Sequence, residues 1–355
     1  MRQLPHLLAP LQLGDIVLRN RVVMAPMTRS RVEQGDLPGA MQVEYYRQRA
    51  SAGVIISEGV HPSPTAQGYC RTPGIYSDAQ VAAWRQVTAA VAERGGSMIC
   101  QIMHCGRVGH ADNKAAGGEF VAPSAIRCNA EIFTATGMPA MATPRALATE
   151  EIPALIEEHV QAAKNAIAAG FAGVELHGTS GYLMAQFLSS GSNQRQDQYG
   201  GSVENRVRLV VETLTAIGGA IGFGRVGLRI CPGNPFNDLH DDHPEQTFAE
   251  LLKQIEPLGL AYLHVIRMAS TGIDNLALAR AHFNGAIIGN DSYDAAEAEQ
   301  AIAAGELAAV SFGRPFIANP DFVERIGSGA ALNKINFKTL YTPGAAGYTD
   351  YPALA

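Results

Sequence analysis

The chain is poor in several residue types, and each shortage excludes something. Its 355 residues include one tryptophan, five cysteines and only five lysines, and charged residues make up 17% of it. The cysteines, at 70, 100, 105, 128 and 231, are odd in number and scattered. They read as reduced thiols of a cytoplasmic enzyme rather than as a disulfide framework. Charge is too sparse for a coiled coil, and 47% hydrophobic residues is too many for disorder. No apolar run approaches the ~20 residues of a membrane span. The opening MRQLPHLLAPLQLGD lacks the charged and apolar regions of a signal peptide, so no membrane partner is expected. A net charge of −6, from 27 basic and 33 acidic residues, argues against a nucleic-acid partner.

What is present is an alternation. Short β-branched runs begin at 21 (RVVMAP), 54 (VIISEG), 97 (SMICQIM), 173 (GVELH), 225 (RVGLRI), 261 (AYLHVI), 285 (GAIIGN) and 308 (AAVSFG). Their near-continuous apolar character predicts strands buried on both faces, as in a parallel sheet. Amphipathic stretches lie between them: Asp78 to Arg94, Thr149 to Ala169, Ser202 to Ile221, Pro244 to Leu258 and Ser292 to Ala304. Ser77-Asp-Ala-Gln is a capping start, and Gly95, Gly170, Gly259 and Gly305 fall where these helices should stop. Eight strand–helix units with no second apolar core predict an α/β fold, a (β/α)8 barrel forming one domain over 1–355. A doubly wound sheet is the rival. LQLGDIVLRN from 11 reads as a hairpin flooring the barrel, and 105–148, rich in Gly, Ala, Pro and Thr, as a lid-like excursion after strand three.

Chemistry in such barrels gathers at the carboxyl ends of the strands. Those ends carry Pro26-Met27-Thr28, Glu58-Gly59, Gln101 to His104, His177, Arg229, Gly289-Asn290 and Gly313-Arg314. The ends of strands seven and eight suit a phosphate, with an arginine as clamp. Arg229 closes a buried strand and needs an anionic partner, either a carboxylate or a ligand that gains negative charge. In HGTSGY at 177–182, the glycines let His177, Ser180 and Tyr182 face one cavity, as hydrogen-bond donors and proton source. The alternative is a strand-end histidine capped by its loop.

Other motifs are weaker. His240-Asp-Asp-His243 reads as a solvated loop, and no metal is expected. Gly218 to Gly224 precedes its strand, whereas a dinucleotide loop must follow one. No lysine ends a strand, which disfavours a Schiff-base aldolase.

Together these segments resemble the Old Yellow Enzyme family of FMN-dependent ene-reductases. The resemblance rests on NRVVMAPMTRSR (20–31), ISEG (56–59), QIMHCGR (101–107), VELHGTSGYLMAQFL (174–188), RQDQYGGSVENR (195–206), LRI (228–230), IIGN (287–290), SFGRPFIANPDF (311–322) and GYTDYPAL (347–354). It runs in order along essentially the whole chain.

The resemblance implies noncovalent FMN atop the barrel. Backbone at Pro26 and Met27 and the Thr28 hydroxyl would contact the isoalloxazine, with Gly59 admitting close approach. Gln101 would bind the pyrimidine edge and Arg229 would sit near N1, while Gly289, Asn290, Gly313 and Arg314 would hold the phosphate. It further implies a ping-pong cycle in which NAD(P)H, NADPH in preference, reduces the flavin. The flavin then reduces an α,β-unsaturated carbonyl or nitro compound. His177 and Ser180 would bind the carbonyl oxygen, Tyr182 would give the proton, and Tyr69, Met103 and Tyr351 would wall the pocket. A monomer or homodimer is expected. The family has Asn or His where this chain has Ser180, and usually Trp where it has Met103. Two other readings stay open: a flavin-dependent isomerase or specialised biosynthetic reductase, and a phosphate-binding barrel lyase without flavin.

Overall fold

The structure, a computed structural model, describes residues 4–32, 35–114 and 118–354. Eight parallel strands close into a barrel: Val22–Met24, Val54–Ile56, Met98–Ile102, Gly173–His177, Val226–Ile230, Tyr262–Ile266, Ile287–Asn290 and Ala309–Phe312. Each pairs with the next in sequence, and the eighth with the first. All eight expected strands are therefore in place, and the closed ring rules out the doubly wound alternative. Both faces of these strands are buried, which is why they lack the polar alternation of a half-exposed sheet.

The helices follow the predicted segments with shorter ends. They span Asp78–Ala92, Ile152–Ala168, Val203–Ile221, Pro244–Ile255 and Ala295–Ala303. Ser77 caps the first reciprocally: its Oγ accepts from Gln80 N at 3.3 Å, and Ser77 N donates to Gln80 Oε1 at 3.1 Å. The four expected stop glycines all take positive φ, between 69° and 91°. Helices Ala40–Gln48 and Asn275–His282, and three short ones at Leu183–Leu188, Arg314–Ala318 and Phe322–Ser328, were not predicted. The first of these has no apolar stripe. It buries Gln42, Tyr45 and Tyr46, so its inward face is polar and aromatic.

Side chains inside the barrel form layers, because successive strand residues point to opposite faces. The hairpin Leu11–Leu13/Ile16–Leu18 closes the base, where its leucines and Ile16 pack with Val23, Val54, Ile56, Ile99, Tyr262 and Ile288. One pleat higher the interior turns polar, with Gln101, Glu175, His264 and Ser311 all buried. Higher still come Met103, His177, Arg229 and Gly313, which line an open cavity. Outward residues such as Cys100, Leu176, Leu228 and Val265 join the helices in the main core. Each fully buried Val, Leu or Ile there contributes about 1.5–3 kcal/mol.

The described part of the excursion over 105–148 contains a two-stranded pairing of Val121–Ala122 with Arg145–Ala146, antiparallel bridges Glu131–Ala140 and Thr134–Gly137, and a turn of 3-10 helix at Ala111–Asn113. Residues 115–117 within it lie outside the described residues.

Candidate active site

The cavity above the polar layer holds about 650 Å³. Its walls include the following regions, with Tyr69 from the loop after strand two and Phe236 from the loop after strand five. Strand ends contribute Pro26, Met27, Thr28, Gln101, Met103, His177, Arg229, Gly313 and Arg314, and the turn after strand four contributes Ser180 and Tyr182. The excursion adds Ile132, Phe133 and Met141, and the segment after the last helix adds Phe337, Leu340 and Tyr341.

Two side chains that line this space each carry a fully buried nitrogen with no hydrogen-bond partner among the described residues: Nδ1 of His177 and Nε of Arg229. Arg229 donates one bond, from Nη2 to Asn290 Oδ1 at 2.8 Å, and no carboxylate lies within ion-pair distance of it among the described residues. Burying a cation so incompletely paired is costly, so the site calls for an anionic or acceptor ligand. Burial and the neighbouring Arg229 cation push His177 down to about 3, so it presents a neutral imidazole. Arg314, exposed at the mouth, makes no hydrogen bond or ion pair with a described residue.

Tyr182 begins the short helix Leu183–Leu188. Its hydroxyl donates to Tyr69 Oη at 3.1 Å, and its ring lies 5.1 Å from that of His177. Burial and the adjacent Tyr69 push its pKa well up, so it keeps its proton at neutral pH. Ser180 takes φ +58° and Gly181 +76°. A Cβ on Gly181 would come within 2.5 Å of Asn237 Cβ, so glycine there admits the loop after strand five. That loop donates from Asn237 Nδ2 to Ser180 O at 2.8 Å.

The RQDQYGGSVENR motif at 195–206 has a supporting part. Arg206 donates to Leu188 O at 2.8 Å and pairs with Asp241 at 3.3 Å, tying the Tyr182 helix to helix Val203–Ile221. Asp241 thus belongs to a buried pair, whereas His240 and Asp242 meet in the exposed loop at 3.1 Å.

A family model described as the NADH:flavin oxidoreductase / NADH oxidase family matches residues 6–333. The chain belongs to this family. It is 41% identical to a flavin mononucleotide-dependent alkene reductase from Leishmania infantum, over 98% of this chain and 97% of the relative. Its fold superposes on morphinone reductase in complex with tetrahydroNAD with a TM-score of 0.94 and 45% identity, covering 99% of this chain and 98% of the other. The old yellow enzyme from Trypanosoma cruzi matches with a TM-score of 0.94 and 40% identity, covering 99% of this chain and all of the other. The chain is thus an FMN-dependent NAD(P)H oxidoreductase on a (β/α)8 barrel.

The residues present fit that cofactor. Arg229, which carries an orphaned buried Nε, and Gln101 and the strand-one segment 26–28 border one cavity, with Arg314, unpartnered among the described residues, at its edge. Of the expected site residues, twelve line this cavity: Pro26, Met27, Thr28, Tyr69, Gln101, Met103, His177, Ser180, Tyr182, Arg229, Gly313 and Arg314.

Four do not. Gly59 packs under Met103, whose Cε would lie 2.5 Å from a Cβ there. A Cβ on Gly289 would meet Leu307 at 2.5 Å, so packing outside the barrel accounts for that glycine. Asn290 has its amide engaged on both sides, accepting from Arg229 and donating to Ser311 O at 3.1 Å. It positions Arg229, and its own carbonyl accepts from Arg267 N at 3.1 Å. Tyr351 accepts from Asn336 N at 2.8 Å, away from the mouth, where Tyr341 stands instead.

That exchange has a physical cause in a set of buried arginines that sequence reasoning missed. Arg31 donates to the carbonyls of Leu340, Thr339, Gly344 and Ala346 at 2.6–3.0 Å. Arg29 reaches Leu340 O and Gly347 O, and Arg71 reaches Tyr341 O. These bonds strap residues 339–347 across the loop after strand one and hold Leu340 and Tyr341 over the cavity. Backbone carbonyls are the acceptors, so no side-chain pattern in the strap announces them.

Proposed function

We propose that this protein is an NADPH-dependent ene-reductase of electron-poor alkenes, working in the cytoplasm as a monomer or homodimer. The observation that carries the reading is one cavity lined together by Arg229, which has no carboxylate partner among the described residues, by a neutral His177 and by a protonated Tyr182. FMN, when bound, would supply the redox chemistry, hydride transfer between a nicotinamide and an electron-poor alkene. The residues supply the rest. Thr28, Gln101 and Arg229 would hold the ring system, Arg229 offering a fixed positive charge to a ring that gains negative charge on reduction. Gly313 and Arg314 hold the phosphate.

The neutral His177 donates an N–H to the substrate carbonyl oxygen. The Ser180 hydroxyl, which has no hydrogen-bond partner among the described residues, adds a second donor. Both bonds strengthen as charge develops on that oxygen, polarising the alkene. Tyr182 gives its proton to the α-carbon, and Tyr69, already bonded to it, is placed to stabilise the phenolate left behind. Residues of the excursion and the strap exclude water from the face where this happens.

The test is an anaerobic visible spectrum of the purified protein, taken before and after NADPH and then after cyclohexenone. A flavin band that bleaches with NADPH and returns with enone is the expected result. Tyr182→Phe should still bleach but return on the order of 10²-fold more slowly. Colourless protein after refolding with excess FMN would refute the reading, as would a bleached band that no enone restores. An isomerase would leave NADPH unconsumed while converting its substrate.

A further inference from the structure

The polar layer beneath the cavity contains a carboxylate that nothing above assigns. Glu175 is fully buried on strand four, two residues and one pleat below His177. Both its oxygens are engaged. Oε1 accepts from Gln101 Nε2 at 2.8 Å, and Oε2 accepts from Tyr262 Oη at 3.1 Å and faces His264 Nδ1 at 2.8 Å. On its far side, His264 Nε2 meets Ser311 Oγ at 2.7 Å. Five residues from four strands thus form one network across the barrel, and both its member Gln101 and the nearby Arg229 line the cavity.

Two consequences follow from elementary chemistry. An ionised carboxylate only accepts, so it fixes the Gln101 amide with its nitrogen down and its carbonyl oxygen turned away, toward the cavity. The network also contains a charge. Burial pushes Glu175 up, but His264, Arg229 and Gln101 pull it back below its ordinary value, while burial lowers His264. The layer therefore carries one negative charge below one positive charge on Arg229, without an ion-pair contact between them.

We propose that Glu175 is a positioning residue for bound FMN: it holds Gln101 with its acceptor oxygen toward the cofactor and offsets the Arg229 cation that faces it. The inference rests on the FMN reading above. A cofactor N–H then meets Gln101, and the balance of Glu175 against Arg229 sets how strongly negative charge on the reduced ring is favoured. Removing the carboxylate charge leaves Arg229 unopposed and frees the Gln101 amide to turn over.

Redox titration of the FMN-loaded protein tests this without turnover. Glu175→Gln removes the charge and should raise the midpoint potential. The expected shift is on the order of tenfold in the reduced-to-oxidised ratio, about 30 mV for a two-electron couple. Glu175→Asp keeps the charge but withdraws it from Gln101. It should leave the potential near wild type while the FMN dissociation constant rises about tenfold, one lost hydrogen bond to a charged group. An unchanged potential in Glu175→Gln overturns the proposal, and so does an equal shift in both variants. If Glu175→Gln does not retain FMN, Glu175→Asp decides: weakened FMN at an unchanged potential supports the proposal, and unchanged affinity overturns it. Wild-type protein that takes up no FMN fails the underlying reading instead.

Discussion

Acid should destabilise this protein through histidines that have no part in its chemistry. His159 lies fully buried in helix Ile152–Ala168, its ring 6.2 Å from that of His104 and nearly parallel to it. Its Nδ1 meets Leu155 O at 2.8 Å, and its Nε2 has no partner. Burial lowers its pKa from 6.5 to about 4. The unfolded chain accepts a proton below pH 6.5 that the folded chain declines until about pH 4. The stabilisation is therefore complete above the unfolded value and lost as pH falls through that window. At 1.36 kcal/mol per unit, the loss from His159 alone is about 3 kcal/mol.

His159→Phe keeps the ring, removes the titration and leaves Leu155 O its helical N–H partner. Urea midpoints of wild type and variant, measured from pH 7 to 4.5 by the fluorescence of the single, fully buried Trp84, should diverge as the pH falls. Near pH 5 the slope of wild-type stability should exceed the variant's by about one proton, roughly 1.4 kcal/mol per pH unit. Parallel curves would refute the argument, because they would mean that His159 takes up its proton in the folded state.

Three further outcomes are expected. Ser180→Asn puts a residue that tolerates φ +58° where serine is less suited, so the variant should gain about 0.5 kcal/mol of stability and bind phenolic ligands more tightly in a spectral titration. Arg31→Met removes the donor shared by four strap carbonyls. It should cost about 3 kcal/mol in urea denaturation and open residues 339–347 to limited proteolysis. Phe133, Phe236 and Phe337 line the cavity yet are 47–61% exposed, an apolar rim for the outer body of a large substrate. Replacing all three with serine should raise KM about tenfold for enones with long apolar bodies and leave cyclohexenone unaffected.

Much of this arrangement was legible from residue patterns. The eight strands were, because burial on both faces leaves an unbroken apolar run that few alternatives produce. His177, Arg229 and Gln101 were, because a polar residue ending such a run has no other good reason to be there. Glu175, His264 and Ser311 carried the same signal one pleat earlier, within GVELH, AYLHVI and AAVSFG, where strand-end reasoning did not look. The close approach of Leu307 to Gly289 was not legible, since a glycine beside an asparagine suits a phosphate turn as well as it suits that packing. Helix Ala40–Gln48 was invisible because its buried face is Gln42, Tyr45 and Tyr46. The strap was invisible for a different reason. Its docking uses main-chain carbonyls, which every sequence has, and arginines more than 260 residues away in the chain.

That distance also orders events during synthesis. The segment that roofs the cavity is translated after all eight strands, and the arginines that receive it sit on the first and second connecting loops. A nascent chain can therefore close its barrel while the cavity is still uncovered on that side, giving a bulky cofactor a wide entrance. Docking of residues 339–347 then narrows the entrance behind it. The barrier to losing a bound cofactor would then lie in a loop that arrives after the strands rather than in the strands themselves.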